Sequence, residues 1–430
     1  MPAPNNTTAA SQLAIMLQVV DAEVARSQNL DRGIDQKFQD ASAKDMGKEK
    51  YRHPIQLDSG GQGAAYNPDG GGYPQGTGPE YNQFIVAPIP VLVAFAATEL
   101  LERIEKANNL EIVKPIMRMV ADAKDKMAHI RNTLTQGYNQ FIVGTVDTSY
   151  AGGNTVPMAY LPFGNRLLDL NNQYLVTDDS GNYNVIGAPA VLEKSNSTGA
   201  TIDTVQLDLA PAGLVGGSSF LLMGATSGAP LGPQGLQYLV STADVGDNDG
   251  ISRALSQMQA AGVNANNSTL TLGMILALDV RQKQNSGPNI EIGNRFYYTY
   301  ISQQSTARQL GFAKTTLMST DGKLANFNMS PNLKDEWKIG TDTVEIDTTA
   351  AVNTVYWVSG MYLKRVRYPG SQKFIPGTLN GLWWPRYAAG QPTSERDLYY
   401  QDSYNYYTSF PWAHGVINNV GVTPAMAQPV

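Results

Sequence analysis

The residues that could do chemistry are few and far apart. Three histidines, His53, His129 and His414, stand in a chain of 430 residues. None is spaced i, i+4 from another, the spacing that lets a helix present two imidazoles to one metal ion, and none lies in an H-E-x-x-H pattern. Each is expected to be exposed or satisfied by its neighbours, with no metal or catalytic role. There is no cysteine, which removes disulfides, zinc–thiolate sites, iron–sulfur clusters and thiol nucleophiles. The stretches GGQGAAY and GGGYPQGTG lack the Lys-Ser/Thr ending of a phosphate-cradling loop. Gly216-Gly217-Ser218-Ser219 falls short of a G-x-S-x-G elbow. Asp244, Asp247 and Asp249 hint at a calcium loop but have the wrong phase and no closing Glu. They read better as an acidic turn capping a helix that starts at Gly250. Paired carboxylates for glycoside hydrolysis leave no local signal. A secreted β-rich carbohydrate-active enzyme therefore stays as an alternative, although MPAPNNTTAASQ, with no basic residue before Arg26, does not look like a signal peptide. The expectation is no catalytic residue, no cofactor and no metal.

The chain is 42% hydrophobic, enough for a real core, but only 16% charged, against roughly 25% in ordinary soluble domains. A low-charge, loop-rich chain either hides much of its surface in partners or has unusually polar uncharged loops, and composition does not choose between these. The formal charge of −6 argues against a surface that grips nucleic-acid phosphates, while leaving room for a protein that encloses nucleic acid without sticking to it. The longest nearly apolar run, Ile85 to Ala97, is broken by Pro88 and Pro90 and is too short for a helix to cross a bilayer. No membrane association is expected.

The elements needed to position anything are clearer. Residues 8–28 read as a helix with Leu13, Leu17, Val20 and Val24 at helical spacing, followed by a charged, polar stretch to residue 50. From Tyr51 to Glu80 the chain is dense in Gly, Pro and Asn and cannot bury enough apolar area to fold alone. It reads as a linker or as a projecting loop ordered by a neighbour. Ala97–Ala107 reads as a short helix. Residues 111–136 are the strongest helix in the chain: Pro115 is in the first turn, Ile116, Met119, Ala123, Met127, Ile130 and Leu134 mark one face, and Gly137 follows. Residues 140–245 read as β-rich, with strands at 204–209, 218–223 and 236–240. Helices are expected at 250–261 and 269–284, strands at 296–301 and 343–346, and one long strand over 354–368. The mixture is α+β. All five Trp lie in the last quarter, with Tyr clustered beside them; aromatics anchor cores and interfaces alike.

One segment carries a resemblance. Gly235-Leu-Gln-Tyr-Leu-Val240 leads to Gly250-Ile-Ser-Arg253-Ala, then Leu270-Thr271-Leu-Gly-Met-Ile-Leu, then an aromatic strand with Arg308 beyond. In this order, with the arm, the Gly-rich loop and the dominant helix before it, the chain resembles the major capsid proteins of tailed bacteriophages. The resemblance is of layout over most of the chain, with a moderately specific central motif.

The resemblance implies the capsid fold shared with encapsulins and the floor of herpesvirus capsids. It divides the chain into an N-terminal arm (1–50), an extended Gly-rich loop (51–90), a peripheral domain (91–245) with its spine helix at 111–136, an axial domain (246–354) and a C-terminal return to the peripheral domain (355–430). It implies a structural protein, not an enzyme: a subunit that self-assembles into pentamers and hexamers of an icosahedral head. That head would enclose double-stranded DNA without sequence-specific binding. The protein would be built in the host cytoplasm with scaffolding and portal partners and would end in the virion. Another shell or tail component is the nearer alternative. Candidate contacts between subunits are Leu13, Leu17, Val20 and Val24 on the arm, Lys364, Arg365 and Arg367 on a basic strand facing an acidic segment such as 244–249, and Trp383 and Trp384. In one branch of the family a loop Lys forms an isopeptide bond with an Asn of another subunit. Here residues 51–105 contain no Lys, so non-covalent contacts are expected.

Overall fold

Pro115, tolerated where a helix has no N–H to satisfy, opens α1 (Pro115–Leu134), and Gly137 follows its end with an N–H on Leu134 O at 3.1 Å. The computed structural model describes residues 34–41, 50–61, 76–98, 115–137, 140–159, 172–180, 184–196, 203–224, 232–286, 295–300, 337–339, 342–347, 350, 353–368, 370–379, 383–388 and 391–421. Four strands precede α1: Gln39–Asp40 (β1), Tyr51–Asp58 (β2), Glu80–Val86 (β3) and Ile89–Thr98 (β4). After it come Ile142–Thr145 (β5), Thr155–Met158 (β6), Gln173–Thr177 (β7), Val185–Asn196 (β8), Asp203–Leu207 (β9) and Ser219–Leu221 (β10). A helical turn, Leu236–Leu239 (α2), leads to Asp247–Asn248 (β11), Ile251–Ser252 (β12), Ala261–Asn264 (β13) and the helix Leu272–Ser286 (α3). Arg295–Tyr300 (β14), Trp337–Ile339 (β15), Asp342–Asp347 (β16), Val355–Ser359 (β17) and Leu363–Arg367 (β18) follow. The last are Lys373–Phe374 (β19), Trp384–Ala388 (β20), Gln391–Thr408 (β21) and Gly415–Asn418 (β22).

The body is organised by β21, 18 residues long. β4 runs antiparallel along one side of it, while β18, β19 and β20 pair with the other side and β1 lies parallel to β18. The apolar stripe of α1 faces this sheet. Ala123, Met127, Ile130 and Leu134 share one core with Val91, Val93, Tyr400, Tyr404 and Tyr406, and full burial of a side chain such as Met127 or Leu134 contributes about 1.5–3 kcal/mol. The side chains of Ile116 and Met119 lie outside the described residues. Gly235 lets the chain return against the end of α1, because a Cβ there would sit 2.6 Å from Gly137 N and 2.7 Å from Leu134 O.

Between α1 and α2 the chain builds a second, antiparallel sheet in the order β5-β10-β7-β8-β9-β6. It has its own core of Val143, Val156, Tyr174, Val176, Leu192, Val205, Leu207 and Phe220. The alternation read at 204–209 corresponds to β9, with Val205 and Leu207 turned inward. A third sheet, β13-β22-β17-β14-β16-β15, is covered by α3. Ile275 and Leu278 of that helix pack on Val355, Trp357 and Ile417.

Four expectations are corrected. The strand read at 236–240 is the turn of helix α2, buried at Leu236, Tyr238 and Leu239. The helix read over 250–261 is absent. Asp249 (φ 53°) and Gly250 (φ 92°) instead form the two-residue turn of the β11–β12 hairpin, the backbone that an Asp-Gly pair favours. The single strand read over 354–368 is two strands, β17 and β18, divided by a turn at 360–362 and sent to different sheets. The segment read as linker or loop from Tyr51 contains β2, antiparallel to β3, with Tyr51, Ile55 and Leu57 buried at alternate positions. The reading at 8–28 lies outside the described residues, as does all of the one at 97–107 beyond Thr98, where Ala97 and Thr98 end β4.

Candidate functional site

The three histidines do not meet. His414 is fully buried, and the Ser359 N–H donates to its Nδ1 at 3.1 Å. The ring proton therefore sits on Nε2, which donates to Thr408 Oγ1 at 2.8 Å. Burial lowers its pKa from 6.5 to about 3, so it is a neutral core group joining β17, β21 and the start of β22. A depressed imidazole pKa means the unfolded chain binds the proton more readily. The His414 share of stability is expected to be complete above about pH 6.5 and lost progressively as the pH falls toward about 3. Urea melts at stepped pH should show His414→Gln with a shallower acid limb than the parent; parallel limbs would contradict the assignment. Among the described residues no group of three or more His, Asp or Glu side chains could hold a metal ion. No described helix is long and apolar enough to cross a membrane.

The basic strand has a definite task within one chain. Its residues fasten the segment 34–40. Lys364 Nζ donates to Gln39 Oε1 at 2.5 Å. Arg365 reaches Asp40 at 2.7 Å and Asp35 at 3.1 Å. Arg367 pairs with Asp402 at 3.2 Å. From α1, Arg131 bridges the same two carboxylates, at 3.1 Å to Asp35 and 2.6 Å to Asp402. Tyr406 donates to Asp35 Oδ1 at 2.5 Å, and the Asp35 N–H donates to Asn132 Oδ1 at 3.4 Å. Burial works against the Arg131 and Arg365 cations, but the carboxylates outweigh it and hold both pKa values above the ordinary range. Burial raises Asp40, and the Arg365 hydrogen bond and charge more than reverse that. This network of buried and half-buried ions ties residues 34–40 to helix α1 and to strands β18 and β21.

The two tryptophans part company. Trp383 is buried with Ala97 and Leu398. Trp384 is half-buried on β20, its ring edge-on to Tyr399 at 6.5 Å. Leu13, Leu17, Val20 and Val24 lie outside the described residues. Sequence reasoning missed Asp35, Arg131 and Asp402, the partners that give the basic strand its role. One signal was present: alternate residues of β21, Tyr400, Asp402, Tyr404 and Tyr406, are all inward, a polar residue in an otherwise aromatic buried row. The exposed apolar side chains include Leu92 on β4, Leu276 and Val280 on α3, and Tyr387 on β20.

No family model matches the chain, and no curated protein matches it. Solved structures do. The capsid asymmetric unit of cyanophage A-1(L) superposes with a TM-score of 0.52 at 10% identity, over 95% of this chain and 99% of that one. The capsid of an empty GTA particle gives 0.45 at 10% identity, over 93% and 100%. The holo-SrpI encapsulin complex from Synechococcus elongatus gives 0.45 at 10% identity, over 96% and 95%. At such identity a likeness speaks to fold. The cyanophage match runs nearly end to end in both chains, and the α+β fold of this chain is that of phage capsid proteins.

Proposed function

We propose that the chain is the major capsid protein of a tailed phage, a structural subunit that assembles with copies of itself into an icosahedral head around double-stranded DNA. The observation that carries this reading is the nearly end-to-end likeness to the cyanophage capsid chain. A fold alone hosts many functions, so one further feature matters: the low charge fraction suits a surface buried in contacts. In this reading α1 and β4 belong to the peripheral domain (91–245), α3 belongs to the axial domain (246–354), and β21 belongs to the C-terminal return to the peripheral domain (355–430). The β2–β3 hairpin belongs to the extended loop (51–90), and the N-terminal arm (1–50) packs on a neighbour. Pentamers and hexamers form from one sequence, with scaffolding and portal proteins as partners in the host cytoplasm, and the virion is the final location.

Negative-stain microscopy of the purified protein tests this directly. Closed shells, or capsomers on the way to them, are expected; discrete dimers or tetramers only would sink the reading. The particles should also be non-covalent, because residues 51–105 offer no Lys amine to attack an Asn side chain. Boiling them in detergent should release a single band near the monomer mass. A ladder of multimers would place a cross-linking lysine elsewhere.

A further inference from the structure

Gln234 and Asp249 form a pair whose two unsatisfied atoms are complementary to one proton. The Gln234 Nε2 amide donates to Asp249 Oδ1. The other oxygens of the same two groups, Gln234 Oε1 and Asp249 Oδ2, are buried and without a hydrogen bond. Two bare acceptors in one buried pair are costly. A proton on Oδ2 makes it a donor, and a carboxylic acid joined to a primary amide by one hydrogen bond can close a second, here to Oε1. Asp249 is only 8% exposed. Burial pushes its carboxyl up to about 7, against the hydrogen bond from Gln234 and the charge of Arg253.

The ionised form also has a destination. Arg253 is 1% exposed and lies over the Tyr238 ring at 4.8 Å from the centroid. It donates through Nη2 to Tyr238 O at 2.8 Å and through Nε to Asp247 O at 3.2 Å, while its Nη1 has no partner. The Asp249 carboxylate therefore has two alternatives, neutral against Gln234 or charged against Arg253. These are the discrete states a switch needs.

What the pair holds is the root of the β2–β3 hairpin. The Ile85 N–H on β3 donates to Asp249 O at 3.0 Å. Ile251, just past the turn, packs with Ile55, Leu57 and Phe84 of the hairpin. Gln234 also touches the second attachment. Its backbone N–H donates to Asn405 Oδ1 at 2.8 Å, and Asn405 Nδ2 donates to Ala87 O at 2.9 Å. The charged and titratable groups facing Asp249 are Arg253 on its own hairpin and Tyr238 on α2. From β3 the partner is the Ile85 amide, and β21 supplies the neutral Asn405.

We propose that Asp249 is a proton-operated latch on the root of the β2–β3 hairpin: the neutral acid pairs with Gln234 and seats the turn against Ile85, and ionisation turns the carboxylate to Arg253 and loosens the hairpin. The latch belongs to the single chain, and its bearing on assembly rests on the shell reading above. A raised carboxyl pKa means that the closed latch binds the proton more tightly than the open one. Its hold is complete in acid and is lost as the pH rises toward about 7.

The test is hydrogen exchange of unassembled full-length chain, read as protection factors so that intrinsic exchange rates cancel. Protection of residues 82–87 is expected to fall about tenfold or more between about pH 5 and pH 8, while the separate β7–β8 pairing holds steady. Asp249→Asn keeps the left-handed turn that Asn tolerates and supplies a permanent N–H to Gln234 Oε1. Its protection should be high and flat. Gln234→Leu should give low protection at both pH values. Infrared spectra of the parent should show a buried carboxylic-acid carbonyl band in acid that is gone by about pH 8 and missing from Asp249→Asn. Flat protection in the parent, an unchanged slope in Asp249→Asn, or no acid band would each overturn the latch. Microscopy judges the shell reading separately, since normal shells with flat protection overturn only the latch.

Discussion

Replacing Asp402 by Ala is expected to cost the fold about 3–5 kcal/mol, the penalty for leaving buried charges without their partner. Asp402 is fully buried, and four groups point donors at it: Arg131 at 2.6 Å, Gln372 at 3.1 Å, Arg367 at 3.2 Å and Ser371 at 3.4 Å. Removing the carboxylate leaves Arg367 without its ion-pair partner and Arg131 with Asp35 alone. The urea midpoint should drop with little change in slope. Restoring apolar balance should recover part of the loss, because ion pairs replaced as a unit by packed hydrophobes are often neutral. The double variant Asp402→Leu with Arg131→Met is therefore expected to be more stable than Asp402→Ala alone. An unchanged midpoint in Asp402→Ala would mean that the network contributes nothing, and a double variant weaker than the single would mean that Arg131 holds Asp35 independently.

That network also marks where sequence reasoning stops. Arg131 is separated from Asp35 by 96 positions and from Asp402 by 271, and no local pattern joins residues so far apart. Helix α1 was legible because its stripe, its Pro and its Gly all sit within one window. The β11–β12 turn was legible too, in the Asp249-Gly250 pair, but the helix-like GISRALSQMQAA beside it drew the reading away. Tertiary packing overrode that local pattern: Ile251 and Met258 go into the hairpin core with Trp412, and Arg253 is held by backbone carbonyls. The long strand over 354–368 failed for a related reason. Its residues do suit strands on both sides of the turn, and only the pairing partners, β14 and β22 for one half and β21 for the other, reveal the break. The basic residues Lys364, Arg365 and Arg367 read from sequence as a contact between subunits. Within one chain they hold the root at residues 34–40, through carboxylates at Asp35, Asp40 and Asp402 that no local pattern places beside them.

The same root makes a truncation informative. Deleting residues 1–30 is expected to leave a soluble, folded chain that no longer forms shells. The fold should survive because the fastening begins after the cut: Asp35 keeps Arg131, Arg365 and Tyr406, and β1 keeps its parallel pairing with β18. Ile34 and Phe38 remain in the main core. Circular dichroism and the urea midpoint should therefore match those of the full chain. Assembly should fail because the removed Leu13, Leu17, Val20 and Val24, at helical spacing in the sequence, would form an apolar face of the kind that marks a contact site. Each such side chain fully buried in a contact is worth about 1.5–3 kcal/mol, and each 1.4 kcal/mol lost is about tenfold in affinity. Losing the stripe at every contact of a closed shell thus moves the assembly threshold by orders of magnitude. Leu17→Asp in the full chain separates the stripe from the bulk of the arm and should reproduce the defect. Normal shells from the truncated chain would show that the arm is dispensable. Unfolding of the truncated chain would show that the fastening reaches further toward the N-terminus than Asp35.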